Sequence, residues 1–261
     1  TSEGSNTGIG GQFLNLLQGA DALLVVVRAF HDPSVPHETG SVDPTRDLET
    51  MLAELAFSDL AIVERRVARI ESEMKSARSH DRDVFTKEMA LLLRVKEQLD
   101  ADVPLRDQGI SPEEHLALSN YQLLTGKPVL IVFNVDEDNT DSNASLIEGL
   151  MSVQESRGVA ATSLCAKLEM ELTQLPAEDE AEFRSDLGLG EPGLSRVVRL
   201  SYQLLGLLSF FTVGPDEVRA WTVDTGTLAP KAAGKIHTDL ERGFIRAEVV
   251  TYDDLVQWGS F

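Results

Sequence analysis

Apolar positions repeat with two different periods along the chain. Residues 22–27 and 129–133 are continuous runs rich in Val and Leu, the pattern of strands buried on both faces of a parallel sheet. Between them, from Asp47, the period becomes helical. Leu60, Val63, Val67, Ile70 and Met74 recur at three- and four-residue steps with charged residues between them. The seam breaks over residues 76–83 and resumes on Phe85, Met89, Leu92, Val95 and Leu99. Two helices of similar length joined by a short polar link predict an antiparallel hairpin over residues 47–103.

The remaining pattern gives shorter elements. A helix is expected over residues 13–17. Ser111-Pro112-Glu113-Glu114 joins capping-box spacing to a Pro at the first helical position, and predicts a helix carrying Leu116, Tyr121 and Leu124 back towards residues 129–133. A helix over residues 144–156, a strand over 159–162, a helix around Phe183 and another from Pro192 through Leu205 follow. From Ser209 the pattern becomes short strands and turns, with a boundary near Leu208.

The run at 129–133 enters Asn134-Val135-Asp136-Glu137, and open α/β sheets bind ligands at the carboxyl ends of such strands. An Asn at the first loop position offers a donor and an acceptor to a base edge. Glu137 stands where the GTPase pattern N-K-x-D places an Asp. That Asp accepts two hydrogen bonds from guanine, and one added methylene pushes the carboxylate out of that register. Asp136 is an intervening position expected to face away.

Several further segments carry a family resemblance. Ile236-His237-Thr238-Asp239-Leu240-Glu241-Arg242-Gly243-Phe244-Ile245-Arg246-Ala247-Glu248-Val249 resembles the signature near the carboxyl end of the Obg-like ATPases, the YchF family. Glu217-Val218-Arg219-Ala220-Trp221-Thr222-Val223, with Ala229-Pro230-Lys231-Ala232-Ala233 after it, is similar to the same family. Glu3, Gly4, Gly8, Gly10 and Gly11 resemble its glycine-rich switch segment near the γ-phosphate.

That resemblance implies an α/β fold. A P-loop NTPase-type (Ras-like) nucleotide-binding domain, lacking its P-loop, would span residues 1–46 and 104–207. An antiparallel helical hairpin would be inserted at 47–103, and an incomplete β-grasp-like TGS domain would occupy 208–261. It also implies ATP binding and hydrolysis with Mg2+, and association with ribosomal particles or RNA in the cytoplasm. Asn134, Val135 and Glu137 would read the base in an N-x-x-E motif, with Asn134 on the Hoogsteen edge of adenine. Ser163-Leu164-Cys165-Ala166-Lys167 sits where such folds place a second base-contacting loop, so the amides of Cys165 and Ala166 are candidate contacts. Cys165 takes a position often held by Ser, and a small buried apolar residue is an equal reading of it. Arg219, Lys231, Lys235, Arg242 and Arg246 would form a partner-binding face, against the alternative of an ordinary solvated surface. A related Obg-type GTPase and a nucleotide-independent scaffold binding RNA or ribosomes remain the other classes, and Glu137 argues against the first.

Charge and motif absences narrow this picture. The net charge is −20, from 43 acidic against 23 basic residues, so the surface as a whole repels nucleic acid. An RNA contact therefore needs a local basic patch, and DNA is not an expected partner. A single cysteine excludes an intrachain disulfide framework, and no apolar run is long enough to span a membrane. The five histidines have no metal-ligand spacing, and no G-x-S-x-G anchors a hydrolase triad. Neither G-x-x-x-x-G-K-[ST] nor an Asp-x-x-Gly occurs. The chain therefore reads as an internal fragment of a longer protein, with magnesium ligands and catalytic residues absent from it.

Overall fold

The computed structural model describes residues 11–37, 39–137, 158–214 and 216–259. The chain divides into two compact units, residues 1–204 and 205–261.

The first unit is built on a parallel sheet of three strands, β1 (Leu23–Ala29), β2 (Val129–Val135) and β3 (Val159–Leu164), with β2 in the centre. Leu23 pairs with Val129, and Val129 with Val159, so the carboxyl ends of all three strands lie level. Central β2 is buried at every position from Val129 to Phe133, as its unbroken apolar run requires. β1 departs from the expectation of burial on both faces: Leu23, Val25 and Val27 are buried, but Leu24 and Val26 are 51% and 54% exposed. The reason is one-sided packing. Leu14 and Leu17 of α1 (Gly11–Gly19), with Leu48 and Leu55 of α2 (Pro44–Met74), join the inward β1 residues in a single core.

α2 starts earlier than the seam suggested. Asp43 caps it by accepting from the Arg46 amide at 3.1 Å, and Pro44 occupies the first turn. α3 (Ser79–Asp100) runs back along it. Val63, Ile70, Leu92, Val95 and Leu99 are buried between the two, flanked by Leu60, Val67, Met74, Phe85 and Met89. Arg66 grips Glu88 with Nε at 2.7 Å and Nη2 at 2.8 Å, while Lys96 pairs with Glu64 at 2.7 Å, which fixes the antiparallel order. Tyr121 adds its hydroxyl as a donor to Glu88.

The Arg66 bond is the main influence holding the Glu88 carboxyl below its ordinary value of about 4.5. A depressed carboxyl stabilises above that unfolded value and loses its contribution as pH falls through the folded one. Both side chains are less than a quarter exposed. Glu88→Gln is therefore expected to cost about 1–2 kcal/mol at neutral pH and to flatten the acid limb of stability. Urea titrations of both proteins at pH 7 and pH 3 check this; equal losses at both pH values would contradict it.

α4 (Pro112–Leu118) has the expected capping box, with the Ser111 amide donating to Glu114 at 2.9 Å and the Glu114 amide to Ser111 Oγ at 3.3 Å. The helix stops after two turns, so Leu118 is buried while Leu116 is 76% exposed, contrary to its expected inward position. Tyr121 and Leu124 lie in 3-10 turns that follow.

Those turns end at a junction. The carboxylate of Asp59, fully buried, accepts from the Leu124 and Thr125 amides at 2.8 Å each and from Thr125 Oγ1 at 2.7 Å. Burial pushes its carboxyl above the ordinary range, with these donors opposing. Thr125 also accepts from the Leu105 amide, and its carbonyl takes Arg106 Nη1 at 3.0 Å. Lys127 Nζ donates to the Gln18 and Ala20 carbonyls at the end of α1. The root of the hairpin, the end of α1 and the start of β2 thus meet within residues 124–127.

After β3 come α5 (Ala166–Leu172), α6 (Ala177–Asp186) and α7 (Gly193–Leu204), the last packed on β2 and β3. Arg184 locks α6 to α5 through Glu169 at 2.6 Å. The helix expected over residues 144–156 lies outside the described residues. No helix among the described residues is long and apolar enough to cross a membrane.

The second unit begins with an antiparallel pair, β4 (Leu207–Val213) and β5 (Val218–Asp224). The pattern had suggested only strands and turns here. Three helices follow instead: α8 (Ala229–Ile236), α9 (Thr238–Arg242) and α10 (Tyr252–Trp258). Their start signals are local and short, namely Pro230 in the first turn of α8, His237 Nδ1 accepting from Asp239 N, and Thr251 Oγ1 accepting from Asp254 N.

Candidate functional site

At the carboxyl ends of the sheet a cleft of about 640 Å³ opens between the segments following β1, β2 and β3. Phe30, His31, Asn134, Glu137, Cys165 and Lys167 are among its lining residues. Its size falls within the range of small-molecule sites.

Asn134 sits inside β2, opposite Arg28 and Leu164, rather than at the first loop position. Its Oδ1 accepts from the Ala166 amide at 3.0 Å, which orients the side-chain amide and leaves Nδ2 as a donor. The Ala166 amide thereby has a partner within the protein. Val135 buries its side chain in the core, leaving its backbone beside the cleft. Glu137 Oε1 lies 2.9 Å from Lys167 Nζ, so the end of β2 and its following loop are joined twice to the segment after β3, by an amide contact and by an ion pair. This bond holds the Lys167 ammonium above its ordinary value. Cys165 is half-buried between them and packs partly on the sheet core.

The wall after β1 was not foreseen from the sequence. Arg28 folds back over its own loop, donating from Nε to the Phe30 carbonyl at 3.2 Å, from Nη1 to Val35 at 2.9 Å and from Nη2 to Asp32 at 3.1 Å. Its guanidinium also stacks 4.5 Å from the Phe30 ring centroid. Asp136, expected to face away, accepts from the His31 amide at 2.9 Å and so ties the β1 loop to the β2 loop. Within the same loop Asp32 caps Ser34, and the Ser34 hydroxyl is the main influence lowering its carboxyl. A basic residue ending an apolar strand was the only signal available, and it is a common one.

Glu3, Gly4, Gly8 and Gly10 lie outside the described residues, and Gly11 is the first residue of α1. In the second unit the five expected partner-binding cations are not equivalent. Arg219 lies 4.4 Å over the Trp221 ring on β5, and Lys231 is paired with Glu241. Lys235 lies in the last turn of α8, Arg242 ends α9, and Arg246 follows it in chain without regular structure. Among the described residues no group of three or more His, Cys, Asp or Glu side chains is placed to hold a metal ion.

A parallel sheet with a cleft at its carboxyl ends, walled by the segments that follow its strands, defines an open α/β protein with its cleft where such folds place ligands. Comparison with known proteins narrows this to one family. The chain is 41% identical to the ribosome-binding ATPase YchF of Haemophilus ducreyi over 251 residues, covering 96% of this chain and 68% of that protein. It is 40% identical to the protein of that name from Bacillus subtilis over 256 residues, covering 97% and 69%. The solved structure of the Schizosaccharomyces pombe YchF GTPase superposes with a TM-score of 0.82 at 30% identity, covering all of this chain and 70% of that one. Residues 207–261 match the YchF-GTPase_C family model, described as a protein of unknown function. The chain belongs to the YchF family of Obg-like P-loop NTPases.

Proposed function

We propose that this chain supplies the base-reading half of an ATP site and that the protein hydrolyses ATP to ADP and phosphate in association with the ribosome. The observation that carries the base choice is the pairing of Glu137 with Lys167 at 2.9 Å while Asn134 Nδ2 has no hydrogen-bond partner among the described residues. Turned to Lys167, the longer Glu137 side chain is not preset towards the two guanine N–H groups, and those groups would lose their water without a well-placed partner. Adenine asks for no such acceptor, and its N7 takes the Asn134 donor. Relatives bearing the name ribosome-binding ATPase support the activity and the partner.

Other parts of the reading follow the same family. The α2–α3 pair is an inserted helical hairpin, and residues 208–261 are part of a TGS domain that contributes Arg219, Lys231, Lys235, Arg242 and Arg246 to a partner face. Glu3, Gly4, Gly8, Gly10 and Gly11 are the switch-like segment, and Val135, Cys165 and Ala166 border the base through their backbones. Hydrolysis transfers a phosphoryl group to water, where positioning and charge stabilisation supply most of the catalysis. Residues 1–261 contain no phosphate-cradling G-x-x-x-x-G-K-[ST], so by themselves they bind nucleotide weakly and turn over little ATP. Magnesium enters with the nucleotide phosphates, since the described side chains offer no cluster that fits it.

The test is calorimetric titration of the full-length gene product with ATP and GTP. Wild type is expected to prefer ATP. Glu137→Asp shortens the side chain, withdraws it from Lys167 and restores the guanine register, narrowing the preference by about tenfold, ~1.4 kcal/mol. A wild-type protein that strongly prefers GTP would sink the reading.

A further inference from the structure

We infer that the free end of the α2–α3 arm is a contact site for an RNA phosphate backbone. The inference rests on the ribosome-association reading and assigns the contact to a surface. Residues 75–87, the free end, hold four Lys and Arg side chains against the exposed carboxylates of Asp81 and Asp83, a local net charge of +2 in a chain of −20. Nearer the base of the arm the cations are engaged internally, Arg65 by the Ala61 carbonyl at 3.0 Å. Arg66 and Arg69 are committed to Glu73 and Glu88 within the arm. Lys75, Arg78 and Arg82 are exposed and have no ion-pair partner among the described residues.

Their placement concentrates the charge. Lys75 and Arg78 bound the turn between the helices, and Arg82 lies one helical turn beyond, its amide bonded to the Arg78 carbonyl at 3.0 Å. Arg94 of α3 pairs with Glu114 of α4, and Tyr121 reaches Glu88. These supports meet α3 at Glu88 and Arg94, leaving the turn beyond them. At 1.5 Å per residue the part of α3 before Glu88 extends roughly 13 Å past the Tyr121 contact. Three cations at the end of a stiff arm, set off from an acidic body, can meet a polyanion that the body would repel.

Chemistry selects among polyanions. Arginine forks match phosphate oxygens in pairs, and Ser79, exposed, adds a hydroxyl donor in the same turn. A membrane surface would require an apolar wedge beside the charges. Over residues 75–87 the only large apolar side chain exposed to solvent is Val84. In the second unit, by comparison, two of the five cations are already engaged, by Trp221 and Glu241.

The experiment is co-sedimentation of the full-length gene product with purified ribosomal subunits over a salt series. Three proteins are compared: wild type, a Lys75→Ala/Arg78→Ala/Arg82→Ala variant and a Lys235→Ala/Arg242→Ala/Arg246→Ala variant. Circular dichroism confirms that helix content is kept; the replaced side chains are exposed and make none of the arm's internal ion pairs. The arm variant is expected to bind at least tenfold more weakly. Its salt dependence should flatten by about 2–3 in log–log slope, since each phosphate that a cation neutralises adds roughly 0.7–0.9 to that slope. Wild-type pelleting that the arm variant matches in affinity and slope would overturn the inference while leaving the ribosome reading intact. Absence of wild-type pelleting would overturn that reading, and this inference with it. Capture of wild type by phosphatidylserine vesicles, abolished in the arm variant without any change on ribosomes, would also overturn it.

Discussion

Asp59→Ala is expected to lower the stability of the first unit by about 3–4 kcal/mol. The substitution removes a carboxylate that is fully buried and accepts three hydrogen bonds, orphaning the amides of Leu124 and Thr125 and the Thr125 hydroxyl. Each buried unsatisfied donor costs about 1–3 kcal/mol before local relaxation. Relaxation is restricted here because Leu105 and Arg106 hold the same threonine. Asp59→Asn should cost less, about 2 kcal/mol, since one amide oxygen still accepts while the NH2 faces a donor. The pH dependence has its own sign. Burial raises the folded-state value of this carboxyl, so its contribution is full below the ordinary aspartate value and declines as pH rises through the folded one. The gap between wild type and Asp59→Ala should therefore narrow with increasing pH, the opposite trend to Glu88. Chemical denaturation of both variants across pH would reveal it. An Asp59→Ala protein within 1 kcal/mol of wild type would show that the junction is not held by this residue.

The second large effect concerns Asn134. Asn134→Ala removes both the acceptor that fixes the Ala166 amide and the donor proposed for the base, and should weaken ATP binding about 100-fold, ~2.7 kcal/mol. Asn134→Asp separates the two roles. It keeps an acceptor for Ala166, so the joined loops persist, but it offers no donor to adenine N7. Most of the affinity should still disappear, with thermal stability nearly unchanged. An Asn134→Asp protein that binds ATP as wild type does would remove Asn134 from base reading and leave it as a strut between loops.

Two kinds of information in the sequence behaved differently. Period and apolar continuity located β1, β2 and β3 and the seam of α2 and α3, because core packing over many residues leaves a repeating trace. The same signal misjudged β1, whose apolar run does not say that only one face is packed, and Leu116, whose helix ends two residues later. At the cleft, Asn134 and Glu137 stood out through their spacing and the family resemblance. Arg28 and Asp136 did not, since their roles are hydrogen bonds to main-chain groups brought near by folding, and a carbonyl or amide carries no side-chain signature. Asp59 was equally hidden as one acidic residue in a charged helix, its partners Leu124 and Thr125 lying 65 and 66 positions away.

That separation gives the arm a particular kind of independence. Chain leaves the sheet-packed part of α2 at Asp59 and returns at Leu124, and a single carboxylate pins departure to return. Everything between is an excursion whose two ends stay fixed however far it reaches. Closing such a loop becomes only about 0.6 kcal/mol harder with each doubling of its length. The arm can therefore gain or lose whole helical turns at its far end while the strand that carries Asn134 starts from the same anchored point.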